Sequence, residues 1–117
     1  MLDFLTRKPQ LRAGGFGQFA LTKRIGDPID FVWPCTNSGD AAGSAFIQVS
    51  EAGASVLLGA AFQVSPNQTI PLNLHATIAG PALTPGLHSL VVDMREGPPS
   101  PPRIIAASTV ELSVVLA

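Results

Sequence analysis

No tyrosine occurs among the 117 residues, and tryptophan and cysteine occur once each. The lone cysteine, Cys35, rules out an intrachain disulfide, so packing alone must hold the fold. A single domain of this length can bury such a core. Charge is also scarce. Asp, Glu, Lys and Arg make up 13% of the chain, against about 25% in ordinary soluble domains. Ala, Ser, Thr, Asn, Gln, Gly and Pro fill the gap, a composition suited to a surface that lies against partners. No apolar run approaches the roughly 18 residues a membrane helix needs. Met1-Leu2-Asp3-Phe4-Leu5-Thr6-Arg7-Lys8 lacks the basic-then-apolar order of a signal peptide. The expectation is synthesis in the cytosol without export, and no membrane association.

Groups able to carry chemistry are few and scattered. There is no Gly-x-Ser-x-Gly elbow for an activated serine. Cys35 alternates with Phe31 and Trp33 on one strand face, which reads as core rather than as a nucleophile in a cleft. His75 and His88 are the only histidines, and neither has Cys or Glu at ligand spacing. Asp27, Asp30 and Asp40 stand near turns. Calcium takes six to eight oxygens, usually several from one tight loop, so these acids read as turn caps. Gly15, Gly17 and Ala20 formally fit a dinucleotide fingerprint, but a Pro-containing segment precedes them and no helical period follows. Paired carboxylates for glycoside chemistry cannot be nominated from eight dispersed acids. The sequence therefore points away from an enzyme, and to no cofactor and no metal. With one tryptophan and no tyrosine, an aromatic platform for sugars is poorly supplied.

The charge that is present is unevenly placed. Residues 1–24 hold Arg7, Lys8, Arg12, Lys23 and Arg24 against Asp3, net +4. Residues 25–117 hold Arg95 and Arg103 against seven acids, net −5. A basic leading segment on an acidic body can steer toward an acidic surface. It has no interleaved aromatic pattern for base stacking, so nucleic acid is not the expected partner. Pro9 and the cluster Gly14-Gly15-Phe16-Gly17 break any helix here, and residues 1–17 read as an extended, flexible N-terminal arm. Leu2, Phe4 and Leu5 are its apolar anchors, and Arg7, Lys8 and Arg12 its charged contacts, in an expected partner-binding set.

From residue 18 onward, apolar alternation and turn punctuation recur every 8–15 residues, which is the mark of a β-sandwich. Strands are expected at 18–24, 29–36, 44–50, 55–58 with 61–64, 69–78, 87–95 and 103–116. In 69–78, Ile70, Leu72, Leu74, Ala76 and Ile78 alternate with polar residues, so one face is buried. Pro34 and Pro71 cannot donate to a ladder and mark edges or bulges. The inner face of 87–95 is read as Leu90, Val92 and Met94. That of the last strand runs from Ile104 through Ala106, Val110, Leu112 and Val114 to Leu116. Gly97 to Pro102 is a stiff polyproline-like excursion. The expected architecture is all-β: an immunoglobulin-like sandwich of about seven to eight antiparallel strands over 18–117, preceded by the arm.

Asn37, Gly39 and Ala41 form an Asn-x-Gly-x-Ala turn, Pro66 centres a second, Pro85-Gly86 leads into the penultimate strand, and Asp93 lies near its end. Over about residues 29–95 this pattern resembles CARDB-like and related immunoglobulin-like domains of bacterial surface and phage proteins. The Pro insert at 98–102 and the arm depart from it. The resemblance implies a spacer or structural domain. With an added arm, it is similar to a virion accessory protein such as a phage capsid cement, or decoration, protein. That implies a non-enzymatic structural role in a virion assembled in the host cytoplasm. The implied partners are the major capsid protein or another virion protein, with a homo-oligomer on the assembly. A phage tail component, or a carbohydrate-binding or adhesion module working through loops 79–86 and 97–102, are the alternatives.

Overall fold

The computed structural model describes residues 9–17, 20–79, 83–97 and 103–116. Nine strands form over these residues: β1 (Leu11–Ala13), β2 (Ala20–Arg24), β3 (Pro28–Asn37), β4 (Gly43–Glu51), β5 (Ala54–Leu58), β6 (Phe62–Val64), β7 (Thr69–Thr77), β8 (Gly86–Gly97) and β9 (Arg103–Val115). They divide into two sheets. The smaller has the order β1-β3-β7, and the larger β2-β9-β8-β4-β5, with β6 also pairing to β4.

Alternation dictates what lies between the sheets. On β3, Ile29, Phe31, Trp33 and Cys35 point inward and are buried, as are Leu72 and Leu74 of β7. Facing them are Ala45, Ile47 and Val49 of β4, Leu90, Val92 and Met94 of β8, and Val110, Leu112 and Val114 of β9. Each such side chain contributes roughly 1.5–3 kcal/mol when withdrawn from water. Pro34 and Pro71 stand directly opposite each other in the β3–β7 ladder. Neither has an N–H, so they share a position that exchanges no hydrogen bonds. β7 is an edge strand, as its proline suggests.

The segment before residue 18 departs from expectation. An arm over 1–17 was the sequence reading, yet β1 pairs antiparallel with the end of β3, Leu11 opposite Asn37 and Ala13 opposite Cys35. Phe16 is buried, with its ring centroid 4.7 Å from Trp33 and 6.4 Å from Phe31. The Trp33 indole N–H donates to the Gly14 carbonyl at 2.7 Å, and the Gly14 N–H donates to the Pro34 carbonyl at 2.9 Å. The glycines do not act as joints of a loose arm. Gly14 lets the backbone pass close against Pro34, where an added Cβ would lie 3.2 Å from Pro34 Cβ, and Phe16 then lies against the tryptophan. An arm can therefore include residues 1–8, which lie outside the described residues, but not residues 9–17.

Two other features differ. β2 pairs parallel with β9, Ala20 opposite Glu111 and Arg24 opposite Val115. The turn after Arg24 sends the chain across to β3 in the other sheet, so no hairpin ties β2 to its neighbour and the parallel direction is allowed. The β8–β9 register also shifts between Met94 and Arg95, Met94 lying opposite Ala106 and Arg95 opposite Ile104. The extra residue, Ile105, turns Ile104 out to solvent, although parity alone would place it in the core.

Candidate docking surface

The outward face of the larger sheet is where the chain leaves large apolar side chains uncovered. Successive rows across the sheet can be followed from the ladder registers. Leu58 stands beside Gln48, Asp93 and Ala107; Ser50 beside Val91 and Thr109; Phe46 beside Arg95 and Ile104; Leu87 beside Ser113 and Thr22. Of these, Leu87 is 73% exposed, Leu58 67%, Ile104 50% and Val91 39%. Between them stand Ser50, Ser89, Ala107, Thr109 and Ser113 together with Gln48, Asp93, Arg95 and Glu111.

Charge on this face is partly paired, with Arg24 and Glu111 exposed at its β2–β9 side. Asp93 is buried although it lies on the outward side, and an Arg95 guanidinium nitrogen donates to its carboxylate at 3.0 Å. The Ser89 hydroxyl donates to Glu111 at 2.9 Å. A partner covering the middle of the face would thus meet an ion pair already formed rather than two separate charges to desolvate.

Two shallow hollows run along the outward side of β4 and meet at Ala61. One, of about 500 Å³, is lined by Pro9, Gly43, Ser44, Ala61, Gln63 and Gly97 among others. The second, of about 290 Å³, is lined by Phe46, Gln48, Ser55, Leu58, Gly59 and Ala61. Their walls are mostly small residues because the backbone crowds there. A Cβ added at Gly43 would lie 2.7 Å from Pro9 Cβ, and one at Gly59 would lie 3.1 Å from the Ile47 carbonyl.

Leu2, Phe4, Leu5, Arg7 and Lys8 lie outside the described residues. Arg12 is exposed on β1, opposite Thr36 in the smaller sheet, away from the apolar face. Sequence reasoning missed Leu58, Leu87, Val91 and Ile104. Leu87 and Val91 were accessible to it, since they share the parity opposite to Leu90, Val92 and Met94. Ile104 was not, because a bulge leaves no alternation signal.

The titratable groups set aside from sequence fall into structural places. The Asp27 carboxylate accepts from the Arg24 N–H at 2.9 Å, which caps the turn between β2 and β3. His75 and Asp30 pair across β3 and β7 on the exposed side of the smaller sheet. Cys35 is fully buried, and burial first, then the nearby Glu96 charge, push its thiol above the ordinary value, which leaves it unreactive. Arg103 closes on the buried Glu96 carboxylate at 2.7 Å. Among the described residues, no group of three or more His, Cys, Asp and Glu side chains converges as a metal site would require. Trp33 is 3% exposed and offers no ring face to a ligand.

No family model and no curated protein sequence matches the chain. Solved structures do. The CARDB domain of the PF1109 protein from Pyrococcus furiosus, crystallised in complex with di-metal ions, superposes with a TM-score of 0.55 at 16% identity. That match covers 93% of this chain and 96% of that one. The Pseudomonas fluorescens alkylpurine DNA glycosylase AlkC, bound to DNA containing an abasic site analog, gives a TM-score of 0.60 at 12% identity. A β-glucosidase from Erythrobacter marinus gives 0.60 at 10%. The likeness covers 90% and 92% of this chain, but only 31% of the glycosylase and 16% of the glucosidase. At these identities what is shared is the fold, and the chain adopts a CARDB-like β-sandwich.

Proposed function

We propose that the chain is a non-enzymatic structural protein of a phage virion, a capsid cement or decoration protein. It docks on the major capsid protein or another virion protein. The observation that carries this reading is the outward face of the larger sheet, where Leu58, Leu87, Val91 and Ile104 are exposed while Asp93 is paired and buried. Scattered apolar residues are ordinary on a surface, but several on one sheet face around an ion pair already made suit a protein–protein contact. The basic residues Arg7 and Lys8, with Leu2, Phe4 and Leu5, add a second point of attachment ahead of the sandwich, and Arg12 extends it along β1. Two modest contacts on one chain, repeated by neighbouring copies over a lattice, give avidity beyond either alone. The low share of charged residues and the CARDB-like fold support a bracing role, and the burial of Trp33 weighs against a sugar platform.

The test is fractionation of the phage that encodes the chain. Shells and tails are separated on a gradient and probed for the chain, with free protein as the control. Co-sedimentation with shells is expected, as is re-binding of purified protein to stripped shells. Recovery with tails alone would move the protein to the tail, and recovery with neither would end the virion reading.

A further inference from the structure

His88 lies on the inward side of β8 and is 7% exposed, and the shell reading makes no use of it. Its two ring nitrogens both face acceptors. Nδ1 is 2.9 Å from each oxygen of the Glu51 carboxylate, and Nε2 is 2.6 Å from the Thr84 carbonyl oxygen. A carbonyl oxygen can only accept, so Nε2 must carry a proton. A neutral ring with its proton there would turn a bare lone pair at Nδ1 toward a carboxylate. The imidazolium alone satisfies both contacts.

The three partners come from three places in the chain. Glu51 ends β4 at its hairpin with β5, whose turn residues Ala52 and Gly53 have φ of 52° and 85°. Thr84 belongs to the connection that enters β8. His88 stands opposite Leu112 of β9 in the ladder. Among the described residues, Glu51 is the one ionisable group whose charge acts on the ring.

We propose that Glu51, His88 and Thr84 form a proton-operated clasp that closes this end of the sandwich in acid and releases it as pH rises. When the ring loses its proton, one of the two acceptors loses its donor, and the carboxylate or the carbonyl is left to seek water. The hairpin tip and the entry to β8 then separate, while the opposite end, held by amide and backbone hydrogen bonds, does not respond.

The direction of titration agrees. The hydrogen bond to the Thr84 carbonyl, then that to Glu51, raise the His88 pKa above the ordinary histidine value, burial opposes them, and the Glu51 charge adds to the rise. The clasp's stabilisation is therefore complete below about pH 6.5, the unperturbed value, and is lost as pH passes up through the folded-state value.

The experiment uses the full chain with His75→Gln, which leaves His88 as its single histidine. Ring resonances are followed by NMR against pH, and amide protection factors are measured at Ala54 and Leu83, whose N–H groups lie in the β4–β5 ladder and on the Ala79 carbonyl, and at 37–39. The ring is expected to titrate above pH 6.5, and Glu51→Gln to lower its midpoint. Protection at Ala54 and Leu83 should fall at least tenfold across that midpoint while 37–39 holds steady. A midpoint at or below the ordinary value, or protection that does not change with ring charge at the clasp end alone, would overturn the proposal. The readout concerns the isolated chain, so it is independent of whether the chain binds a shell.

Discussion

Asn37 ties together the end of the sandwich remote from His88. Its side-chain oxygen accepts from the Gln10 N–H at 3.1 Å and the Gly39 N–H at 2.9 Å, and its amide donates to the Ala41 carbonyl at 2.8 Å and the Val64 carbonyl at 3.0 Å. Its backbone N–H donates to the Gln68 carbonyl, and its backbone carbonyl accepts from the Asn67 N–H. It is fully buried. A group that is both donor and acceptor is required here, because two of the four side-chain partners donate and two accept. Asn37→Ala strips four backbone groups of their partner. The cost of an unmet buried polar group is roughly 1–3 kcal/mol, and water can reach some of these, so the expected loss is about 3 kcal/mol. Urea unfolding should show a lower midpoint with an unchanged slope. Asn37→Asp keeps the shape but loses both donors, and should be no better tolerated. The sequence marked Asn37 only as a turn residue, because nothing in local spacing reveals that a side chain will gather partners from positions 10, 41 and 64.

Among elements, eight of the nine strands were legible in the sequence and β1 was not. β3, β4, β7 and β8 fall close to their expected bounds because three or more alternating apolar residues fix each one's face. β1 was invisible. Its three residues Leu11, Arg12 and Ala13 give no period, and the glycines that follow look like a flexible joint. What orders it lies elsewhere in the sequence: the β3 edge, and Phe16 packed at a tilt against Trp33. That account has a test. Arg12 has an exposed side chain, but its backbone sits in the β1–β3 ladder, so trypsin must first open the strand. Phe16→Ala removes a buried ring, a change that costs roughly 3–5 kcal/mol in a core. Phe16 lies at the margin of the core, and its loss falls on β1 more than on the whole fold. Cleavage after Arg12 should be slow in the native chain and at least tenfold faster in Phe16→Ala, with the strands after residue 20 left intact. Equal rates in the two chains would mean that the ring does not hold β1.

For the whole molecule, the distribution of charge separates two ways in which the proposed docking on a shell would be held. The apolar face offers attraction that salt scarcely weakens, since Asp93 already has its partner in Arg95. The basic residues ahead of β1 offer attraction that salt screens over about 10 Å at 0.1 M. If the face does most of the holding, shell binding should change by less than about threefold between 50 and 300 mM salt, because paired charges contribute little to screening-sensitive attraction. Leu87 and Ile104 are then the positions to change. Each buries about 1.5–3 kcal/mol of apolar side chain on docking. Leu87→Asp with Ile104→Asp also places two charges against the partner, so affinity should fall by well over tenfold, roughly 1.4 kcal/mol per decade. Both side chains face solvent in the free chain, so its thermal stability should be little changed. The opposite pattern, with release by salt and indifference to the two aspartates, would shift the attachment to Arg7, Lys8 and Arg12. The sandwich would then act as the load those residues carry to the shell rather than as the surface that grips it.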